Sequence, residues 1–89
     1  MATWELYARG RVQGVGFRWF VQQLAFEHGV CGYVCNLADG SVKIIAEADE
    51  YALEGFQMAI SCGPHHGRVD DLEVNKLESA KKYHDFEIK

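Results

Sequence analysis

Residues 4–29 read Trp4-Glu-Leu-Tyr-Ala-Arg-Gly-Arg-Val-Gln-Gly-Val-Gly-Phe-Arg-Trp-Phe-Val-Gln-Gln-Leu-Ala-Phe-Glu-His-Gly29. The hydrophobic period changes once along this stretch. Trp4, Leu6, Ala8, Gly10 and Val12 alternate with Glu5, Tyr7, Arg9 and Arg11, the period of two of a half-buried strand. From Phe17 onward the apolar residues Phe17, Phe20, Val21 and Leu24, with His28, fall at helical spacing. Trp19, Gln22, Gln23 and Glu27 occupy the rest of the cylinder. Gly29 supplies the stop just past the last turn. Between the two periods lies Gln13-Gly-Val-Gly16, a glycine-bearing loop that must turn a strand into a helix.

Outward from this unit the same reading continues. Val30 to Asn36 is a second strand and Val42 to Glu47 a third, joined through Leu37-Ala-Asp-Gly40, whose Asp-Gly is a hairpin signal. Asp49 is placed to cap a second helix with a buried stripe of Leu53, Phe56 and Ile60. Gly55 inside that helix costs about 1 kcal/mol against alanine, so packing must carry it. Gly63-Pro64 ends it. Val69 to Lys76 is a further strand, with a break of phase that suggests a bulge near Asp70-Asp71. His84 to Lys89 alternates as a short last strand. The order β-α-β-β-α-β, with a terminal strand, is the ferredoxin-like pattern: an α+β sandwich with an antiparallel sheet and two helices on one face. With 89 residues there is room for one hydrophobic core, so residues 1–89 are expected to form a single domain.

Composition narrows the functions. Hydrophobic residues at 48% and charged residues at 25% are ordinary for a folded domain and argue against disorder. No apolar run approaches the roughly 18 residues of a membrane span. Met1-Ala-Thr-Trp-Glu5 has no basic segment followed by an apolar stretch, so a cytoplasmic protein without a membrane partner is expected. The net charge is −4, which disfavours a nucleic-acid partner held by its phosphates. In the first 40 residues Arg9, Arg11 and Arg18 balance Glu5, Glu27 and Asp39, which leaves room for a local anion site. Cys31, Cys35 and Cys62 are an odd set. Cys31 and Cys35 lie four steps apart on one strand, about 13 Å, too far for a disulfide or a shared metal. They read as reduced, packed thiols.

The chemistry concentrates in two places. In Gly10-Arg-Val-Gln-Gly-Val-Gly-Phe-Arg18, glycines 14 and 16 can adopt positive φ and turn several N–H groups toward one point. The helix start adds its own unpaired N–H groups and partial positive charge, and the two together make an anion cradle. Arg18 in the first turn is mildly unfavourable for the helix unless an anion sits there, and its guanidinium can fork onto phosphate oxygens. On spacing alone, the segment also fits a plain tight turn with a solvated arginine. Asn36, a residue depleted in strands, can donate to and accept from one water molecule; it also fits a simple strand end. His65 and His66 lack further ligands at metal spacing and read as solvated loop residues. Asp70 and Asp71 point to opposite faces of their strand and form no catalytic pair. Trp19, Phe17 and Phe20 read as core and rim.

Gly10-Arg-Val-Gln-Gly-Val-Gly-Phe-Arg-Trp-Phe20 resembles the first signature of the acylphosphatase family. Gly32-Tyr-Val-Cys-Asn-Leu-Ala-Asp-Gly-Ser-Val42 resembles the second, and Ala46-Glu47, Leu53-Glu-Gly-Phe56 and Gly63-Pro64 match its later pattern. The resemblance spans essentially the whole chain. It implies hydrolysis of acyl phosphates to a carboxylate and inorganic phosphate. It implies a phosphate-binding loop of Gln13, Gly14, Val15, Gly16, Phe17 and Arg18, with Arg18 and Asn36 catalytic and Asn36 positioning the water. No metal or other cofactor is implied, and the expected partners are the acyl phosphate and its product phosphate. The expected state is a monomer. Gly67, where alanine is commoner, and Ala48-Asp49, where glycine is common, depart from the pattern outside the site.

Three other readings compete. Ferredoxin-like sheets bind RNA through aromatics on central strands, but here Gly-Val-Gly-Phe-Arg lies in a loop. An inactive phosphate-binding domain would show a changed residue at 18 or 36, and both are intact. A module of a larger carbamoyl-transfer enzyme would have this pattern too; an 89-residue chain opening on methionine is expected to stand alone.

Overall fold

The computed structural model describes residues 1–77 and 83–89. The elements run β1 Ala2–Arg11, α1 Phe17–His28, β2 Cys31–Asn36, β3 Val42–Ala48, α2 Glu50–Ser61, β4 Arg68–Leu77 and β5 Phe86–Ile88. The sheet order is β4-β1-β3-β2-β5. The first four strands pair antiparallel. The short β5 pairs parallel to β2, so the sheet is mixed where the sequence suggested antiparallel throughout. β5 comes to lie on the opposite edge from β4, its neighbour in sequence, and a strand placed there can run in either direction.

The alternation in β1 sorts its residues as its period requires. Trp4, Leu6, Ala8 and Val12 are buried and meet Val21 and Ala25 of α1 and Leu53, Phe56 and Ile60 of α2 in one core. Phe86 of β5 closes that core at the edge, its ring edge-on to Phe56 at 6.1 Å. On α1 the deepest stripe is Phe17, Val21 and Ala25, with Phe20 and Leu24 half-buried beside it. The bulge falls where the phase breaks: Arg9 pairs with Asp71 and Gly10 with Val69, leaving Asp70 unpaired in the register.

Buried Glu47 on β3 accepts from the Thr3 hydroxyl at 3.1 Å and from the main-chain N–H of Tyr83 at 3.0 Å. A buried carboxylate is costly unless its lone pairs are used, and these two donors use them while tying the approach to β5 onto the sheet.

Candidate active site

The two helices begin differently. At α2 the Asp49 side chain accepts from the N–H of Ala52 at 2.8 Å, and Glu50 sits in the first turn. At α1 the cap is Gly16, with φ 75° and ψ 20°, no side chain caps the turn, and the first turn holds no acid. Gly14 shares the left-handed conformation with φ 74°, a region closed to most side chains. Among the described residues, no hydrogen bond within the protein takes up the N–H groups of Gly14, Val15 or Gly16. The turn therefore presents a run of free donors where the helix dipole is positive.

Phe17 sets the direction of the next side chain. It is buried at 1% exposure, with its ring 5.8 Å from that of Phe20. With Phe17 wedged into the core, Arg18 turns to the rim, where its Nη1 donates to the main-chain oxygen of Lys89 at 3.1 Å. The guanidinium keeps further donors for a ligand.

A pocket of about 210 Å³ opens at this point, lined by Gly14, Gly16, Arg18, Trp19, Asn36 and Ile88 among others. Arg18 enters it from the first turn of α1 and Asn36 from the last position of β2. Two separate elements, α1 and β2, thus bring a guanidinium and a side-chain amide to one cavity, beside the free N–H groups.

Gln13 plays a different part from its neighbours. Its Nε2 donates to the carbonyl oxygens of Leu37 and Ser41, both at 2.9 Å. Its side chain is thus spent on the hairpin and only its main chain faces the loop. The hairpin is itself locked: Asp39 Oδ1 accepts from Ser41 N–H at 2.9 Å and from the Ser41 hydroxyl at 2.6 Å. These bonds hold the Asp39 carboxyl below the ordinary carboxylate range. Val15 packs against the core and lines a neighbouring cleft, not the pocket of Arg18 and Asn36.

The other sequence candidates lie elsewhere. His65 and His66 are exposed, with rings 4.9 Å apart. Asp70 pairs with Arg68 at 2.6 Å and Asp71 with Arg9 at 3.0 Å, both on the surface. Cys31, Cys35 and Cys62 are free thiols. Among the described residues no three His, Cys, Asp or Glu side chains gather as a metal site would need, and no helix is long and apolar enough to cross a membrane. Sequence reasoning missed Ile88 and the main-chain oxygen of Lys89. Their part depends on β5 lying parallel to β2, which no local pattern reveals.

Comparison with known proteins bears on the family and the fold. The family model for acylphosphatase matches residues 4–88. The chain is 44% identical over 88 residues to an acylphosphatase of Archaeoglobus fulgidus, covering 99% of this chain and 98% of that one. The crystal structure of acylphosphatase from Bacillus subtilis is similar with a TM-score of 0.97 at 40% identity, over 100% of this chain and 99% of that one. Full-length HypF, solved in a phosphate- and nucleotide-bound form, is similar over 12% of its length and 99% of this chain, with TM-score 0.87 and 31% identity. The family model over residues 4–88 and the match along nearly the full length of the Archaeoglobus fulgidus protein lead to one conclusion: the chain belongs to the acylphosphatase family.

Proposed function

We propose that this protein hydrolyses the carboxyl–phosphate bond of acyl phosphates, giving a carboxylate and inorganic phosphate. The observation that carries the reading is the shared pocket of Arg18 and Asn36 at the uncapped start of α1. The loop N–H groups and the Arg18 guanidinium hold the phosphate oxygens; Gln13 contributes its main chain, as do Gly14, Val15, Gly16 and Phe17.

An acyl phosphate is a mixed anhydride with a good leaving group. Positioning and charge stabilisation therefore suffice, without a metal or a covalent intermediate. Asn36 aims a water at phosphorus, in line with the acyl oxygen. The water oxygen bonds to phosphorus, the bond from phosphorus to the acyl oxygen breaks, and that oxygen leaves with its electron pair as carboxylate. The proton released by the water passes to a phosphate oxygen, so no side chain need act as base. Arg18 and the loop stabilise the charge as it spreads over the transferring group. In this reading residues 1–89 act as one domain, as a monomer in the cytoplasm, with no cofactor and no nucleic-acid or membrane partner.

The test is release of inorganic phosphate from an aryl acyl phosphate by purified protein in the presence of a chelator, with a phosphate monoester as control. Rapid release from the first and none from the second is expected. Arg18→Lys, which keeps the charge but loses the planar fork, should be inactive. Loss of activity on chelation, or near-normal turnover in the lysine variant, contradicts the reading.

A further inference from the structure

The phosphate pocket has a neighbour. A second cleft of about 300 Å³ lies beside it, lined by Val15, Trp19, Phe20, Pro64, His65 and His66, together with Gly16. Gly16 and Trp19 line both cavities, so the two adjoin at the first turn of α1. Their chemistry differs. The first holds Arg18 and Asn36; the second has no Lys, Arg, Asp or Glu in its lining and is walled by aliphatic and aromatic side chains.

The second cleft is built by the fold. Its far wall, the segment from Pro64 to His66, is drawn onto the loop by Gly67. A Cβ at position 67 would stand 2.5 Å from the Arg11 carbonyl oxygen and 2.9 Å from both Pro64 Cγ and Val15 Cγ2. Only the missing side chain permits that approach. The near wall is Trp19, an indole 63% exposed on α1. An indole left in water on a helix that already buries Phe17, Val21 and Ala25 adds little to the core, whereas it offers a flat apolar face to whatever enters.

We propose that this cleft is the subsite for the acyl group, and that it selects flat apolar acyl groups, aromatic ones above all, over short or charged ones. The inference rests on the acyl phosphate reading given above. With the phosphate held by Arg18 and the loop, an acyl half directed past Gly16 and Trp19, the residues common to both cavities, enters this cleft. A ring leaving that way meets the Trp19 indole on one side and Pro64 and the imidazoles on the other, and exchanges water for apolar contact. A carboxylate-bearing acyl group would lose hydration among Val15, Phe20 and Pro64 with no guanidinium or ammonium there to compensate. Trp19 is thus a specificity-determining residue and takes no part in the bond-breaking step.

The experiment compares kcat/KM for benzoyl phosphate and acetyl phosphate in the wild type, Trp19→Ala and His66→Ala. Both side chains are exposed, so the variants are expected to fold, and a ratio of two substrates on one preparation does not depend on the folded fraction. The wild type should favour benzoyl phosphate. In Trp19→Ala the benzoyl-to-acetyl ratio should fall about tenfold, the scale of one lost apolar contact in a specificity pocket, and in His66→Ala in the same direction by a smaller factor. The change should appear in KM for benzoyl phosphate and little in kcat, because binding common to ground and transition states is lost. If both substrates are turned over but the ratio is the same in all three proteins, the acyl subsite is wrong and the hydrolase reading stands. If neither substrate is turned over by the wild type, both fall.

Discussion

The side-chain amide of Gln13 lies 2.9 Å from the carbonyl oxygen of Leu37. This contact ties the loop before α1 to the residue that follows Asn36. The free N–H groups and the Asn36 amide therefore do not float independently: one hydrogen-bonded side chain links the two segments, with a second bond to the carbonyl oxygen of Ser41.

Gln13→Ala should accordingly reduce turnover by about 10-fold to 100-fold, the scale of a small misplacement at a reacting centre. Phosphate affinity should change far less, since the main chain and Arg18 remain. Gln13→Glu should behave like the alanine variant, because a carboxylate cannot donate to two carbonyls. Steady-state kinetics and phosphate titration check this; turnover within twofold of wild type in either variant would remove Gln13 from the positioning of Asn36.

Gly55 offers a route to higher stability. It lies inside α2, and a Cβ there would meet the His28 ring at 3.5 Å, an ordinary contact. Gly55→Ala should therefore stabilise the fold by about 0.5–1 kcal/mol, through helix propensity and lost freedom of the unfolded chain. Denaturant unfolding gives the value. A destabilised variant would mean that the packing of α1 on α2 is tighter at this point than the geometry shows.

Glu47 should behave oppositely. Glu47→Ala leaves the Thr3 hydroxyl and the Tyr83 N–H without their acceptor and opens a cavity, so a loss of about 2–4 kcal/mol is expected. Turnover per folded molecule should persist, because Glu47 is at the end of β3 away from Asn36. Urea unfolding paired with an activity assay separates the two effects.

These three residues also mark how far the sequence could be read. The period change across residues 4–29 placed β1, the loop and α1, because burial on one face imposes a repeat that needs no distant partner. The bulge at Asp70 was legible from a break in the same kind of repeat. Arg18 and Asn36 stood out because each is out of place by local rules, a cation at a helix start and an amide in a strand. The tether of Gln13 was not legible: a glutamine in a loop reads the same whether it faces a ligand, water or a carbonyl. The burial of Glu47 was hidden for the reason that a half-buried strand normally turns its acids outward. The parallel β5, and with it the contact of Arg18 with the main-chain oxygen of Lys89, depends on which sheet edge is left open, and only the assembled sheet decides that.

Acid should unfold the protein partly through two surface carboxyls. The hydroxyl and N–H of Ser41 hold Asp39 low, and Asn75, then Arg9, hold Glu73 low. Both groups titrate lower in the folded chain than in the unfolded one. Their contribution is therefore fully present above about pH 4, the unfolded carboxylate range, and is lost as the pH falls through the depressed folded values. Thermal midpoints measured from neutral pH down to pH 2 should fall less steeply in Asp39→Asn than in the wild type. An identical acid limb would show that the Ser41 bonds do not favour the ionised form.

The division of labour between Arg18 and Asn36 is the central claim, and thermal unfolding with inorganic phosphate tests it most directly. Phosphate near ten times its dissociation constant should stabilise the wild type by about 1.4 kcal/mol through mass action. Asn36→Ala should keep that stabilisation while its turnover of an aryl acyl phosphate falls by a large factor; Arg18→Ala should lose both. If Asn36→Ala loses the phosphate stabilisation as completely as Arg18→Ala, or retains wild-type turnover, then Asn36 does not aim the attacking water and the account of this site is wrong.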